Sequence, residues 1–126
     1  MNDTPNPGAA GIALEVGQRY PVGERLHTLT PRLARASAAA REVLVDVAAH
    51  REVITYGELS DAIDRAVLPR HMGPLLHMIN HDCAARGEPG LAALVVSAAH
   101  GEVGTRDTSW APPERRACWD RWSTHP

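Results

Sequence analysis

Three histidines that lie close together in the sequence are the first candidates for metal chemistry. His77 and His81 have the i, i+4 spacing that can place two imidazoles on one ion, and His71 lies one and a half turns before them if the segment is helical. Asp82 would face another side, and the segment contains neither an HExxH arrangement nor a cysteine pair. We therefore expect no metal site and interpret the histidines as part of an exposed polar helix face.

The two cysteines, Cys83 and Cys118, are the candidate nucleophiles. Neither has a second cysteine at CxxC spacing, so the sequence predicts neither a disulfide framework nor a zinc ribbon. Free cysteines are usually buried, and a buried thiol has a raised pKa and little reactivity. The serines lack the context of a catalytic nucleophile, and there is no glycine-rich phosphate loop. We expect no enzymatic activity and no cofactor.

A polar face on one predicted helix gives the strongest indication of function. The hydrophobic repeat of Met72, Leu76, Ile79 and Cys83 predicts a helix from about Pro69 to about Arg86, stopped by Gly87. Its opposite face carries Arg70, His71, His77, Asn80 and His81. Such side chains could enter a DNA groove, where arginine and asparagine can read guanine and adenine edges. Phosphate contact or plain solvation is equally compatible.

The elements before this helix are predicted by capping and turn residues. Thr30-Pro31 predicts the start of a first helix, which continues through His50 with Arg32 and Arg35 mostly off its apolar stripe. Val53-Ile54-Thr55 suits a brief strand. Thr55 and Glu58 have the spacing of a capping box, which predicts a second helix from about residue 56 to 65.

The C-terminal third of the chain shows strand, turn and helix signals. The apolar run from Leu91 to Ala98 predicts a core strand, and the two glycines after it predict a hairpin tip with a return strand. Following Pro112-Pro113, a last helix carries Trp119 and Trp122 on one face. We expect it to pack back onto the domain, because buried aromatic residues usually supply core area.

The resulting fold class is mainly α with a small β-hairpin (α+β), a winged helix-turn-helix with an extra C-terminal helix. The helix-turn-helix spans about residues 56–86 and the wing about residues 91–106. Residues 1–12 are predicted to form a disordered N-terminal arm, rich in Pro, Gly, Asn and Asp, and residues 13–126 a single domain. The segment from Ile12 to Val22 is interpreted as a short strand or an extended lead-in.

Two short strings resemble the DNA-binding half of alkylguanine DNA alkyltransferases and their alkyltransferase-like relatives. They are Thr55-Tyr56-Gly57-Glu58-Leu59 and Arg70-His71-Met72-Gly73, within a region of roughly residues 41–104. In that family the tyrosine presses on a backbone phosphate, and the arginine enters the base stack where a nucleotide is turned out. The resemblance implies these roles for Tyr56 and Arg70, with capping and solvation of their helices as the alternative.

The chain departs from that family at the catalytic strand. A Pro-Cys-His-Arg segment holds the family's acceptor thiolate, whereas the corresponding run here is Leu91-Ala92-Ala93-Leu94-Val95-Val96-Ser97. Residues 79–90 also form a longer insert than the family has, which counts against a lesion-binding pocket. The resemblance therefore implies a DNA-binding scaffold without alkyl transfer.

Composition and charge restrict the partners. The 126 residues suit one domain, and 44% apolar with 22% charged residues is ordinary for a globular protein. There is no long apolar run and no secretory leader, so we expect a cytoplasmic protein without membrane association. All 13 basic residues are arginine. The net charge of −2 opposes strong non-specific DNA binding, although residues 19–51 hold six arginines against three acidic residues.

Two functional hypotheses follow. The first is a non-catalytic protein that binds double-stranded DNA through Tyr56, Arg70, His71, His77, Asn80, His81, Arg32 and Arg35. It would act in transcription regulation or as an accessory to DNA repair, modification or defence. The alternative is a winged-helix protein-interaction or assembly module that does not bind DNA, with a homodimer or partner protein held through the Trp119/Trp122 tail.

Overall fold

Residues 11–123 are described by a computed structural model, and the predicted arm lies outside this range except for its last two residues. Those two belong to the folded part. Ile12 is buried in a small apolar cluster with Leu14 and Leu29, and the Gly11 carbonyl accepts a hydrogen bond of 3.0 Å from Arg86. The predicted boundary of the arm at residue 12 is therefore too late, because Ile12 supplies core area.

The described chain is an α+β structure in which four α-helices and four short strands alternate irregularly. The strands are β1 (Arg19–Val22), β2 (Arg25–Thr28), β3 (Ile54–Thr55) and β4 (Val95–Val96). The helices are α1 (Pro31–Ala49), α2 (Tyr56–Ala62), α3 (Met72–Arg86) and α4 (Ala111–Trp122). The predicted mixture of helices with a small hairpin is confirmed at this level.

Helix α1 forms for the local reasons that the sequence indicates. Thr30 is its N-cap, with its hydroxyl oxygen accepting from the Leu33 N–H at 3.1 Å, and Pro31 occupies the first helical position. Ala36, Ala40 and Leu44 recur at helical spacing and are all buried. The helix ends at Ala49, as expected.

The segment from β3 to α3 contains the predicted helix pair. Thr55 and Glu58 form the reciprocal capping box at the start of α2. This helix ends at Ala62 instead of Arg65, because the backbone at Asp64 and Arg65 turns into the left-handed region. A 3₁₀ turn at Pro69–His71 leads into α3.

At the other end of α3, Gly87 serves as a left-handed cap with φ 70°. A residue with a side chain would be strained in this conformation, which explains why the helix stops at the predicted position.

The antiparallel hairpin is not where the sequence analysis placed it. It consists of β1 and β2, which pair from Arg19 with Thr28 to Val22 with Arg25 and are joined by Gly23 and Glu24. Gly23 has φ 62°, which suits a hairpin turn that begins with glycine. The segment interpreted as an extended lead-in therefore provides the first strand.

The segment predicted as a wing, residues 91–106, has a different structure. Leu91–Leu94 is a buried 3₁₀ turn, and only Val95–Val96 forms a strand, which pairs in parallel with β3. The chain folds back at a hydrogen bond of 2.8 Å from Ser97 N–H to the Glu102 carbonyl. No return strand follows in this part of the described chain, because the Val103 and Gly104 N–H groups bond to side chains.

The main core lies where α1, α3 and α4 meet the 3₁₀ turn at Leu91–Leu94. Leu44, Leu75, Ile79, Leu94 and Cys118 are among its buried members. The apolar run at residues 91–96 was correctly assigned to the core but wrongly assigned as a continuous strand. A short run of buried apolar residues indicates burial, and periodicity alone does not distinguish a strand from another buried conformation.

Candidate functional site: a cleft beside the third helix

A cleft of about 270 Å³ opens between α3, the start of α2 and the loop that follows β4. Its apolar side chains are Leu76, Val95 and Val103, and its polar or aromatic ones are Tyr56, His77, Asn80, Thr105 and Trp110. Ligand sites commonly combine an apolar lining with a few polar groups in this way. An adjoining groove shares Tyr56, Leu76 and His77 with the cleft and continues past Gly73 to Pro69, next to Arg70.

Tyr56 fixes one rim of the cleft. Its hydroxyl oxygen accepts a hydrogen bond of 2.8 Å from the Gly104 N–H, which leaves the hydroxyl proton available for another acceptor. A Cβ atom on residue 104 would lie only 2.4 Å from that oxygen, so glycine is required for this close approach. Tyr56 thus holds the loop in place and still presents a donor.

Asn80 fixes the opposite wall. Its Oδ1 accepts from the Ala92 N–H at 3.1 Å and lies so close to Gly90 that a Cβ there would be 2.7 Å away. The Gly90 N–H in turn donates to Glu114 Oε2 at 2.6 Å. Asn80 is half-buried, and its amide N–H groups are what remains for a ligand.

The two histidines of the predicted i, i+4 pair lie in different surroundings. Burial lowers the pKa of His77, and the nearby His81 lowers it further, which favours the neutral form of the ring. His81 donates from Nε2 to the Pro21 carbonyl at 2.7 Å, and its ring lies 5.8 Å from that of Tyr20. Within residues 11–123, no group of three or more His, Cys, Asp or Glu side chains is placed to hold a metal ion.

Arg70 and His71 are exposed on the 3₁₀ turn that leads into α3. The Arg70 Nε–H donates to His71 Nε2 at 3.2 Å, which makes that ring nitrogen an acceptor. His71 shares a second cleft with Arg32 of α1, whereas Arg35 is exposed and is not among the residues lining either cleft.

The structure therefore distributes most of the residues predicted to bind DNA over two separate clefts. The cleft beside α3 holds Tyr56, His77 and Asn80, a second cleft holds Arg32 and His71, and Arg70 lies near both. His81 instead fixes the β1–β2 hairpin to α3.

Both cysteines are buried away from the cleft. Cys83 and Cys118 belong to the main core with no exposed surface, and the Cys118 thiol donates to the Gly90 carbonyl at 3.4 Å. Burial raises the pKa of Cys83, and burial with the nearby Cys83 raises the pKa of Cys118 to about 12. The expectation of two buried free thiols is confirmed.

The loop residues of the cleft were missed by the sequence analysis. Trp110 donates from Nε1 to Thr105 Oγ1 at 3.1 Å, which fixes the ring at the cleft mouth. The only signal in the sequence was a tryptophan directly before a proline-marked helix start. The sequence analysis placed this helix from Pro112-Pro113 and made no prediction for Trp110.

An ion pair between Arg115 and Glu102 fixes the loop between β4 and α4. Arg115 contacts Glu102 and donates from Nε to the Ala93 carbonyl at 2.9 Å. The Arg115 guanidinium, followed by the Val103 N–H, lowers the pKa of the Glu102 carboxyl. The loop between β4 and α4 is thereby tied to the core at both Glu102 and Gly104.

The tryptophans of α4 pack onto the chain's own core, as predicted. Trp119 donates from Nε1 to the Glu52 carbonyl at 3.0 Å. The guanidinium groups of Arg41 and Arg121 both approach the Trp122 ring, at 5.6 and 5.5 Å from its centroid. Both residues are half-buried, so a partner could contact only part of either ring.

Comparison with protein-family models, curated proteins and solved structures finds no match for this chain. Across residues 11–123, no helix combines the length and apolar character needed to cross a membrane. The architecture that these observations define is an α+β domain with a cleft beside its third helix.

Proposed function

We propose that this chain is a non-catalytic DNA-binding protein that uses the start of α3 and the cleft beside it to bind duplex DNA. The observation that carries the proposal is the exposure of Arg70 and His71 on the 3₁₀ turn that leads into α3, and of His77 on α3 itself, next to a cleft with the Tyr56 hydroxyl at its rim. An α-helix with such a face fits the major groove, where arginine can bond bases or phosphates.

The resemblance to the alkyltransferase-like proteins supports the same roles. Tyr56 has a hydroxyl proton that is free to donate to a phosphate oxygen, because only its oxygen is used by Gly104. Arg70 is exposed, and its terminal guanidinium nitrogens remain available beyond its contact with His71. Both groups could therefore act on DNA without losing the contacts that position them.

The cleft adds a place for a nucleobase turned out of the duplex. Its apolar walls and the rings of Tyr56 and Trp110 suit a flat heteroaromatic ring, which stacks on aromatic side chains. Base extrusion costs a few kcal/mol, so a preformed cleft and an inserting side chain such as Arg70 must repay it. Since both thiols lie in the core, the proposed role is recognition without alkyl transfer.

Fluorescence anisotropy with a labelled pool of random duplexes tests DNA binding. Binding at low salt that weakens as salt is raised is expected, because phosphate neutralisation releases counterions. Arg70→Ala should weaken affinity about tenfold, since losing a contact worth about 1.4 kcal/mol changes Kd by that factor. Arg116→Ala, on the exposed side of α4, is the matched control and should bind as the native chain does. No binding even at low salt would refute the proposal.

A duplex containing 2-aminopurine tests the cleft separately. The fluorescence of this base rises when it leaves the stack, so a rise on binding is expected. Duplex binding without that rise would remove the cleft from the proposal and leave the DNA contact through α3.

The protein-interaction alternative is discriminated by light scattering. A defined dimer that fails to bind any duplex would favour it over DNA binding. Its tryptophan anchors would then have to be the exposed parts of Trp119 and Trp122.

A further inference from the structure

A second cleft, of about 510 Å³, lies where four segments of the chain meet, and it shares no lining residue with the first. The segments are the end of β2, the start of α1, the turn at residues 63–68 and the start of α3. Each contributes one basic side chain: His27, Arg32, Arg65 and His71. All four are exposed at its mouth, while Leu33, Val67 and Leu68 form apolar wall.

The first turn of α1 adds to the positive potential of this cleft. Thr30 and Arg32 both line the cleft, so the N-terminal end of the helix, with its partial positive charge, lies at the wall. This turn contains no acidic residue, the side chain that most often offsets that charge. The Arg32 guanidinium and the N-terminal end of α1 therefore both make the electrostatic potential in the cleft more positive.

The backbone of the turn is fixed so that Arg65 reaches the cleft. Asp64 and Arg65 have φ of 58° and 56°, a left-handed conformation that non-glycine residues rarely adopt. Two hydrogen bonds hold the turn: Arg65 N–H to the Ser60 carbonyl at 2.7 Å, and Ser60 Oγ–H to the Val67 carbonyl at 2.8 Å. Ser60 is completely buried, so the turn is anchored in the core.

The Asp61 carboxylate pairs with Arg65 but leaves donors of that arginine free for an anion in the cleft. Asp61 Oδ1 lies 3.2 Å from Arg65 Nη1, in a pair whose side chains are 70% and 61% exposed. Such exposed pairs are screened by solvent and bind weakly, and an arginine has five N–H donors. A phosphate oxygen can therefore bond the remaining donors.

We propose that this second cleft is a binding site for a phosphate group. Guanidinium forks and imidazoles that approach from four segments suit an anion with several oxygens in different directions, whereas a planar carboxylate is satisfied by one fork. The phosphate can be a monoester, as in a nucleotide or a DNA 5′ end, or a phosphodiester of the DNA backbone. Only the phosphodiester source rests on the proposed function, and the cleft would then extend the DNA contact beyond α3 to the β1–β2 hairpin.

The test is a titration of the isotope-labelled full chain, followed by NMR of backbone amides and arginine Nε–H groups. Inorganic phosphate, adenosine monophosphate and a blunt duplex without terminal phosphates are added in separate arms, with chloride used to keep ionic strength constant. Saturable shifts at Leu68, His71 and the Arg32 and Arg65 Nε–H groups are expected. Saturation by the two small molecules identifies a monoester site, and saturation by the duplex alone identifies a backbone-phosphate site.

Arg65→Asn is the informative variant, because asparagine removes the charge and tolerates the left-handed backbone better than most residues. A loss of affinity of at least tenfold is expected for whichever arm saturates, with an unchanged far-UV circular dichroism spectrum. Arg116→Asn is the matched control and should titrate as the native chain does. Native affinity in Arg65→Asn, or no saturable shift in any of the three arms, overturns the proposal.

The two proposals fail in distinguishable ways. If the chain does not bind duplex DNA, the duplex arm stays silent while the inorganic phosphate arm still saturates. If the second cleft binds no phosphate, anisotropy still reports duplex binding that Arg70→Ala weakens and Arg65→Asn does not change.

Discussion

Replacing Asp82 by asparagine should be among the most destabilising single substitutions at a polar position. Asp82 lies on α3 with only 1% of its side chain exposed. Its carboxylate accepts from Arg86 Nε at 3.1 Å, from the Ala13 N–H, and from Arg41 Nη1 at 3.4 Å. The change to asparagine keeps the shape of the side chain but removes its charge and places N–H donors beside two guanidinium groups.

The expected loss in free energy of unfolding depends on the contacts that Arg41 and Arg86 retain after the substitution. Removing one member of a buried ion pair costs about 3–5 kcal/mol, because the other charge stays buried without compensation. Arg41 retains Glu88, which accepts two hydrogen bonds of 2.8 and 3.2 Å, and Arg86 is 30% exposed and can be hydrated. We therefore expect a destabilisation at the lower end of this range. A loss of about 3 kcal/mol corresponds to a decrease in Tm of roughly 12 °C for a domain of this size.

Urea unfolding followed by tryptophan fluorescence and far-UV circular dichroism measures the free energy of unfolding by linear extrapolation. Asp61→Asn is the matched control: it removes an exposed i, i+4 pair with Arg65 and should cost only about 0.3–0.5 kcal/mol. A difference of less than about 1 kcal/mol between Asp82→Asn and the native chain would contradict this reasoning. In that case the network around Arg41 would not fasten the N-terminal segment to α3.

Three further predictions concern the cleft and its supports. Gly104→Ala places a Cβ 2.4 Å from the Tyr56 hydroxyl, so it should displace the loop and weaken duplex binding in the anisotropy assay while leaving the helical circular dichroism signal intact. Thr55→Ala removes the N-cap of α2 and should lower the free energy of unfolding in urea by about 1 kcal/mol. The pKa of Glu102 is lowered in the folded state by Arg115, so its contribution to stability is present above the pKa of the unfolded chain and is lost as pH falls through the folded value. Glu102→Gln should therefore be less stable than the native chain at pH 7, and the difference in urea midpoints should shrink towards pH 3.

Signals that act over a few residues allowed the helices to be predicted. The Thr30-Pro31 start, the capping box at Thr55 and the stop at Gly87 are all present, because each depends on hydrogen bonds or backbone conformation within one turn. The end of α2 was misplaced because two successive non-glycine residues, Asp64 and Arg65, rarely both adopt a left-handed backbone. That conformation is held by the buried Ser60 from the preceding turn.

The candidate site was predictable only for residues on helices. Tyr56, His77 and Asn80 share the cleft because helical spacing and the short turn bring them together. Trp110 and Thr105 belong to a loop whose path is fixed by contacts across the fold, among them the bond between Tyr56 and Gly104. Those partners are 48 residues apart in sequence, and no periodicity reports such a contact.

The wing was misassigned for a related physical reason. The run from Leu91 to Val96 is fully buried, so its hydrophobicity reports burial whichever backbone it adopts. Its strand pairing is with Ile54, far away in sequence. The true hairpin has two four-residue strands: β1 alternates between exposed and half-buried residues, but β2 is exposed throughout, so the alternation from which strands are usually predicted is too short to stand out.

The parallel pairing of β3 with β4 has a consequence for synthesis on the ribosome. Ile54 pairs with Val95, and the buried face of α1 is completed only by the 3₁₀ turn at Leu91–Leu94 and by Cys118 of α4. At about 5–20 residues per second, several seconds separate the emergence of α1 from that of its last packing partner. Throughout that interval the alanine-rich face of α1, with Leu44 on it, lacks the partners that bury it in the folded chain.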